Sequence, residues 1–369
     1  MKRLYPIILA IALLGCTNNY KSASNYIKEL GTMPPFEQGF EMGVSACYAA
    51  VYRDTLYIAG GCNFPDTPAS QGGSKRFYQG IYKAAIGDTL IWHKAGVLPE
   101  PSAYGASLIV GEKLIIAGGT NSKGASSAVY SIDLSDDCKV DTLPSLPYTV
   151  DNATATIANN FIYIIGGNIN GEPSNIVFAL NLSDGTNEWA QLPTPPSRAR
   201  VQPVCAANEK ALYIWGGFSP ADSIGRAITH SDGIRYLFAE NRWEQLTDVT
   251  LKEDSDRAIS LSGGTALLFD KNTIIAAGGV DKEIFTDAIS GTYSLTSKEE
   301  YMHHPAEWYR FNPHLIEYNI DENSWKLLKS DRTFARAGAI MIAYKNNIIY
   351  IGGELKPGIR TPQINMYRP

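Results

Sequence analysis

Histidine and cysteine are scarce in this sequence, which has five of each among 369 residues. No Cys-x-x-Cys pair and no Cys/His cluster at zinc-ligand spacing occurs, so the sequence predicts no metal site. Charged residues make up 19%, below the ~25% typical of globular proteins, and no basic block occurs. With 32 basic and 37 acidic residues the formal charge is −5, which argues against nucleic-acid binding.

Long hydrophobic runs are also missing, apart from one at the N-terminus. Residues 4–14 are apolar and follow Lys2 and Arg3. This run is shorter than the ~20 residues that span a bilayer and is typical of a signal peptide. It ends in Leu-Leu-Gly-Cys at residues 13–16, which resembles a bacterial lipobox. The resemblance implies cleavage before Cys16 and lipidation of that residue; an ordinary secretory signal with a chance cysteine is the alternative.

These features divide the chain into three parts. We expect residues 1–15 to be a lipoprotein-type signal peptide, residues 16–25 a polar tether, and residues 26–369 the folded domain. Removal of residues 1–15 would change the formal charge from −5 to −7, since it deletes Lys2 and Arg3. We therefore expect export to the periplasm of a Gram-negative bacterium, with attachment to the outer membrane only through the lipid.

A Gly-Gly pair recurs six times, each time after a short apolar run. The pairs begin at residues 60, 118, 166, 216, 278 and 352, at intervals of 58, 48, 50, 62 and 74 residues. An apolar strand precedes each pair, and a strand with a central aromatic residue follows it. A further strand carries a tryptophan in four repeats, namely Trp92, Trp189, Trp243 and Trp325. Kelch repeats have a period of about 50 residues, so the pattern predicts an all-β, six-bladed kelch-type β-propeller.

The two ends of the chain predict how the ring closes. The sixth repeat has no fourth strand after Tyr367, whereas residues 26–33 resemble an isolated fourth strand. We expect residues 26–33 to complete the last blade, which leaves no open sheet edge. No helical periodicity follows any Gly-Gly pair, so we expect no helix there and no phosphate-binding loop. Cys47 and Cys205 lie in apolar strands and are predicted to be small core residues.

The connections after the Gly-Gly pairs are the predicted place of the functional site. Three of them are long, and loops of such length are usually functional: residues 62–78, 218–232 and 280–313. The corresponding connection of the sixth repeat is short, and Pro357-Gly358 in it predicts a tight turn. This turn would bring Glu354 and Arg360 side by side.

A family resemblance rests on this last connection. Residues 352–361 read Gly-Gly-Glu-Leu-Lys-Pro-Gly-Ile-Arg-Thr. They resemble the G-E-x-K-P-G-x-R-T segment of the N-acetylneuraminate epimerases, the sialic acid mutarotases. Residues 278–285 are similar to the G-G-V-x-x-x-I-F segment of that family. There the G-E-x-K-P-G segment lies mid-chain, whereas here it is C-terminal, and residues 60–78 resemble the later part of the family. The sequence thus resembles a circularly permuted mutarotase.

The resemblance implies an isomerase that interconverts the α and β anomers of N-acetylneuraminic acid without a cofactor or metal. It implies that Glu354 is the catalytic proton acceptor and that Arg360 helps to bind the substrate. We add Lys75, Arg76 and Lys282 as further cationic contacts with the substrate, although a solvated loop is the simpler interpretation of each. The general acid, the oligomeric state and the exact 2-keto sugar acid are not predicted.

Other interpretations remain at this point. A non-catalytic propeller that binds sialic acid or another glycan has no need of a base. A sialidase would show repeated S-x-D-x-G-x-x-W boxes, of which the sequence has one near miss. A copper oxidase needs paired His and Tyr ligands, which the five histidines do not provide. The simpler interpretation of His303-His304 is a pair of surface residues. An aromatic segment at residues 301–310 is predicted either to line the sugar pocket or to hold its long loop in place.

Overall fold

The fold is described from a computed structural model of the protein. The structure describes residues 26–368, except for residues 184, 186–187, 222–225 and 252–257. The predicted signal peptide and tether, including Cys16, lie outside the described residues. Among the described residues, no helix is long and apolar enough to cross a bilayer.

Within the described residues, six sheets each contain four antiparallel strands, which we label A to D from the innermost strand outwards. We number the sheets as blades 1 to 6. Blade 1 comprises Tyr48–Tyr52, Thr55–Ala59, Gly80–Ala85 and Trp92–Val97. Blade 2 comprises Ala106–Val110, Lys113–Ala117, Val129–Asp133 and Lys139–Leu143. Blade 3 comprises Thr154–Ala158, Phe161–Ile165, Val177–Asn181 and Trp189–Gln191.

The other three blades follow the same order. Blade 4 comprises Val201–Ala207, Ala211–Ser219, Gly233–Leu237 and Arg242–Leu246. Blade 5 comprises Thr265–Asp270, Thr273–Ala277, His314–Asn319 and Ser324–Ser330. Blade 6 comprises Ile340–Tyr344, Asn347–Ile351, Gln363–Arg368 and, as its outermost strand, Tyr26–Thr32. The prediction of an all-β kelch-type propeller is confirmed.

The connections of the blades carry short elements. The paired short strands are Cys62–Asn63 with Arg76–Phe77, Thr120–Asn121 with Gly124–Ala125, Val150–Asp151 with Asn168–Ile169 and Glu172–Pro173, and Glu354–Lys356 with Ile359–Arg360. Ile228–Thr229 pairs with the B strand of blade 4. The 3-10 turns are Phe40–Met42, Ala69–Gln71, Ala306–Tyr309 and Arg332–Phe334. All of these elements lie in the connections and leave the strand order of the blades unchanged.

The ring closes through the N-terminal strand, as the sequence predicts. Tyr26–Thr32 runs antiparallel to Gln363–Arg368, and Ile27 lies opposite Tyr367. The A strands of neighbouring blades contact each other all the way round, including the A strands of blades 6 and 1. Ring closure therefore depends on residues from both ends of the described chain.

The Gly-Gly pairs fasten each blade to the next. The first glycine of every pair has a left-handed φ between 54° and 71°. In five of the six pairs, the N–H of the second glycine donates to a carbonyl oxygen in the following D–A connection, at 2.8–2.9 Å. These acceptors belong to Ser102, Val150, Arg200, Arg336 and Val44. The last bond, from Gly353 to Val44, joins blade 6 to blade 1. Glycine is thus needed at these positions because the backbones of neighbouring blades approach closely there. The pairs therefore have a structural role.

We expect Gly118→Ala to lower the free energy of unfolding by about 2–3 kcal/mol. A Cβ at Gly118 would lie 2.2 Å from the carbonyl oxygen of Val150, at a φ of 67°. Gly111 has a φ of 59° with open space around its Cβ position, so Gly111→Ala should cost only about 1 kcal/mol. The midpoint of urea unfolding measures both. Equal destabilisation of the two variants would show that backbone approach between blades does not explain the glycine.

The prediction that no helix follows a Gly-Gly pair is wrong at one position. A helix, α1, spans Lys282–Ile289 and begins three residues after Gly279. The Asp281 carboxylate accepts hydrogen bonds from the N–H groups of Glu283 and Ile284 and so caps this helix. Only Ile284 of the eight helical residues is buried. Ile284, Phe285, Ala288 and Ile289 do have helical spacing, but eight residues are fewer than the window of about 11–18 residues over which a helical period is read.

Aromatic and aliphatic side chains fill the spaces between blades. The central aromatic residues of the C strands are mostly buried, as Tyr82 and Tyr318 illustrate. Tyr318 packs edge-on against Trp215 and is tilted against Trp325 of its own blade. Cys47 and Cys205 are buried free thiols, as predicted for small core residues.

Candidate active site

A cavity of about 310 Å³ lies on the propeller face that carries the B–C and D–A connections. Its polar side chains come from blade 1, blade 6, the long connection of blade 5 and the connection between blades 1 and 2. They are Lys75, Tyr104, Tyr301, Glu354 and Arg360. The cavity therefore collects residues that are far apart in sequence, and two of the three long connections contribute to it.

Glu354 and Arg360 face each other across a short hairpin. Glu354 lies opposite Arg360 in the register of this hairpin, and Gly358 has the positive φ, 84°, that its turn needs. The N–H of Gly358 donates to Glu354 Oε1 at 2.6 Å, and Arg360 Nη1 lies 3.0 Å from the same oxygen. The Pro357-Gly358 turn thus holds a carboxylate and a guanidinium in contact, as the sequence predicts.

Arg360 is buried, whereas Glu354 reaches solvent. Their side chains are 3% and 24% exposed. Arg360 Nε donates to Ser45 Oγ at 3.1 Å, and the guanidinium lies 5.0 Å from the ring centre of Phe64. Burial acts to lower the pKa of Arg360, but Glu354, Tyr104 and Cys62 together outweigh it and hold that pKa above its usual value. The guanidinium is therefore charged throughout the physiological range.

One nitrogen of Arg360 lacks an aligned hydrogen bond. Within the part of the chain that the structure describes, Nη1 has no hydrogen-bond partner, because its contact with Glu354 lacks hydrogen-bond alignment. Buried guanidinium nitrogens normally have such partners, so this nitrogen is an exception to the usual pattern. A carboxylate is the ligand whose geometry a guanidinium matches best.

Lys75 and Tyr104 place a second cation in the cavity. Lys75 Nζ donates to the Tyr104 hydroxyl at 3.0 Å and lies 4.6 Å from the centre of the Tyr104 ring. Phe64 lies between the two cations, 5.9 Å from Lys75 Nζ. Tyr104 belongs to the D–A connection that leads into blade 2 and has a left-handed φ of 60°, so its backbone is held in an uncommon conformation.

The formal charges of the polar lining favour an anion. Lys75 and Arg360 contribute two positive charges, and Glu354 contributes one negative charge. A monoanionic ligand would therefore make this part of the cavity neutral. Partial burial strengthens such charge interactions relative to those in bulk water.

The long connection of blade 5 supplies an apolar wall and its own support. Phe285, Tyr301 and Phe311 line the cavity. Tyr309 is buried and its hydroxyl donates to the carbonyl of Tyr301, while Trp308 stacks on His304 with ring centres 4.0 Å apart. Of the two interpretations of this aromatic segment, Tyr301 fits the first and its neighbours fit the second.

The hairpin of blade 6 is tied to the same connection. Lys356 Nζ donates to the carbonyl oxygen of His304 at 2.6 Å. The ring of His304 contacts the Thr296 hydroxyl at 2.7 Å, and His303 is exposed. His303 thus fits the simpler interpretation of a surface residue, whereas His304 is half-buried beside the cavity lining.

Two of the predicted cationic contacts lie away from this cavity. Arg76 Nη2 donates to Asp66 at 2.6 Å and Nη1 donates to the carbonyl of Gln38. Lys282 lies in the first turn of α1, and its Nζ donates to the Ser231 hydroxyl at 2.9 Å. Of the five predicted site residues, the structure brings together Glu354, Arg360 and Lys75, and it gives Arg76 and Lys282 partners elsewhere.

Sequence reasoning missed Tyr104, Phe64 and Ser45. Tyr104 and Ser45 lie in D–A connections, which carry no motif, and Phe64 is one apolar residue in a long loop. Their contribution depends on which loops the ring closure brings together. The one available signal was the rule that D–A and B–C connections emerge on the same face.

Comparison with known proteins gives one family. The family model described as N-acetylneuraminate epimerase matches residues 143–368. A Salmonella enteritidis protein named N-acetylneuraminate epimerase is 28% identical over 229 residues, which are 60% of this chain and 57% of that protein. An Escherichia coli protein named N-acetylneuraminate epimerase 1 is 27% identical over 227 residues, covering 59% of this chain and 58% of that one. The chain thus spans less than two thirds of the length of these curated relatives.

A solved structure shows the same fold. The structure titled "Structure of YjhT" superposes with a TM-score of 0.61 and covers 87% of this chain and 94% of that one. Since the two sequences are 16% identical, this likeness bears on the fold alone. The circular permutation that the order of the motifs indicates stays a prediction.

Proposed function

The chain belongs to the N-acetylneuraminate epimerase family, and we propose that it interconverts the α and β anomers of N-acetylneuraminic acid in the cavity at Glu354. The observation that carries this proposal is the pairing of Glu354 with Arg360 at 3.0 Å in an anion-favouring cavity. A carboxylate that reaches solvent is suited to exchange protons, and a buried guanidinium is suited to hold a carboxylate.

The reaction is a ring opening and closure at C2 of the sugar acid. Glu354 takes the proton of the anomeric hydroxyl, the bond between C2 and the ring oxygen breaks, and that oxygen receives a proton from a general acid. The resulting C2 carbonyl rotates, and the hydroxyl that was the ring oxygen attacks its other face. The same groups then return the two protons. The steps are proton transfers, the breaking and re-forming of one C–O bond and a rotation, and none of them requires a metal or cofactor.

Substrate binding follows from the charges. We assign the C1 carboxylate of the substrate to Arg360, which lines the cavity beside Glu354. The ring of Phe64, whose centre lies 5.0 Å from the guanidinium, packs against it in the cavity wall. Lys75 adds positive charge in the same cavity. Arg76 and Lys282, which have partners outside this cavity, are not needed for this assignment.

The test is the anomerisation itself. α-N-acetylneuraminic acid, freshly released from a glycoside, is followed by proton NMR as it converts to the β anomer. The proposal predicts conversion faster than in buffer, at a rate proportional to protein concentration. The alternative, a non-catalytic propeller that binds sialic acid or another glycan, predicts binding without any change in the conversion rate.

We also propose that the protein is exported and anchored to the outer membrane through a lipid on Cys16. The support is the basic start, the 11-residue apolar run and the Leu-Leu-Gly-Cys sequence at residues 13–16. In cells grown with radiolabelled palmitate, the protein should become labelled, and Cys16→Ser should abolish the label. Label that survives this substitution would exclude Cys16 as the lipid site.

A further inference from the structure

The ring-opening step needs a proton donor that the proposed function leaves unassigned. The ring oxygen and the anomeric oxygen are bonded to the same carbon, so the donor must lie in the same cavity as Glu354. Apart from Arg360, three described lining side chains carry an N–H or O–H group: Lys75, Tyr104 and Tyr301. The choice among these three decides how the reaction proceeds.

The contacts of Tyr104 distinguish it from Tyr301. The Tyr104 hydroxyl oxygen accepts a hydrogen bond from Lys75 Nζ at 3.0 Å, and the hydroxyl also lies beside Cys62 and Arg360. Tyr301 is held through its backbone carbonyl, which accepts from the Tyr309 hydroxyl. An ammonium bonded to a phenol oxygen stabilises negative charge on that oxygen, which is what a proton donor requires.

We propose that Tyr104 is the general acid and that Lys75 is the positioning residue that restores its proton. In ring opening, the Tyr104 O–H proton passes to the ring oxygen as the C2–O bond breaks. One Lys75 N–H proton passes to the Tyr104 oxygen, so that Lys75 becomes a neutral amine and Glu354 becomes a carboxylic acid. Ring closure reverses each transfer, and no proton is gained or lost over the cycle. This inference rests on the proposed function.

The surroundings of Tyr104 favour such a relay over a stable phenolate. The groups that face it are Lys75 and Cys62 from the B–C connection of blade 1, and Glu354 and Arg360 from the hairpin of blade 6. Burial, before the smaller effects of these neighbours, raises the pKa of Tyr104 above its ordinary value. A phenolate at Tyr104 is therefore unfavourable. If Lys75 supplies a proton as the Tyr104 phenol loses one, no phenolate forms.

The first test removes the hydroxyl and keeps the ring. Tyr104→Phe retains the face on which Lys75 lies and should lower kcat for α-to-β conversion roughly 10- to 100-fold with little change in KM. Tyr48→Phe is the matched control, because its hydroxyl accepts from the N–H of Gly105 in the same connection but lies outside the cavity lining. A loss in Tyr48→Phe equal to that in Tyr104→Phe would reduce the effect to a disturbed loop and overturn the assignment.

The second test uses Lys75. Lys75→Met should lower kcat by a similar factor, and the Tyr104→Phe/Lys75→Met double variant should be no slower than either single variant, since one relay is broken in each. The decline of kcat at high pH should move to higher pH in Lys75→Met, because loss of the ammonium removes a group that favours the Tyr104 phenolate. Lys75→Met also tests the proposal if Tyr104→Phe does not fold.

The outcomes separate this inference from the proposed function. If Lys75→Met raises KM and leaves kcat unchanged, Lys75 binds the carboxylate and the relay is wrong. If Tyr301→Phe shows the loss and Tyr104→Phe does not, the acid is Tyr301. If wild-type protein does not accelerate anomerisation at all, the proposed function fails first.

Discussion

Glu354→Gln is expected to slow α-to-β conversion roughly 10²-fold or more, because it removes the base and keeps the shape of the side chain. The amide can still accept the N–H of Gly358 through its oxygen, so the hairpin should persist. NMR time courses at saturating sugar give kcat directly. Binding of the sugar, measured by calorimetry, should change far less than kcat, since the carboxyl acts in proton transfer.

The hairpin of blade 3 offers a matched control. Glu172 is exposed and lies in the short B–C hairpin that corresponds to the one carrying Glu354. Glu172→Gln should therefore convert the sugar at the wild-type rate. If Glu354→Gln also retains that rate, the base is assigned to the wrong residue, whatever the fold.

Arg360→Ala is expected to weaken binding of the carboxylated sugar by about 1.5–3 kcal/mol, which corresponds to roughly a ten- to hundredfold rise in KM. The guanidinium contacts the C1 carboxylate in every state along the reaction, so kcat should fall less than kcat/KM. Arg360→Lys should recover only part of the affinity, because an ammonium does not hold two oxygens in one plane. The measurement is the sugar concentration dependence of the initial rate.

Two controls separate loss of substrate binding from other effects of Arg360→Ala. Arg242 is an exposed arginine paired with Glu240 and Glu244 on blade 4, so Arg242→Ala controls for the loss of a positive charge as such. Arg360→Ala also leaves the Glu354 carboxylate without its cation, and the urea midpoint reports any loss of stability. Unchanged KM in a folded Arg360→Ala protein would assign the carboxylate to another group.

The sequence predicted the propeller because its signals are local and repeated. Each Gly-Gly pair marks a place where one backbone approaches the next blade, as the 2.2 Å separation between a Cβ at Gly118 and Val150 O shows. The closure by residues 26–33 was predictable because one strand was missing at one end and one was extra at the other. The Glu354–Arg360 pair was predictable because a two-residue turn brings them together.

The rest of the site depended on contacts that no local pattern encodes. Tyr104 enters the cavity because the D–A connection before blade 2 lies beside the blade 1 insertion, where Lys75 bonds it. Arg76 follows Lys75 directly and was predicted with it. Its side chain instead forms an ion pair with Asp66, away from the cavity. Helix α1 went undetected because its eight residues are too few for a helical period to be read from the sequence.

The most direct test of the central claim is exchange between the two anomers at equilibrium. In a solution of N-acetylneuraminic acid that has already reached its α/β ratio, saturation of the β-anomer H3 signals is transferred to the α anomer only if the ring opens and closes. Added protein should increase this transfer in proportion to its concentration while the ratio itself stays unchanged, and Glu354→Gln should not increase it measurably. Line broadening of the sugar signals without any transfer would show binding without catalysis and would contradict the account.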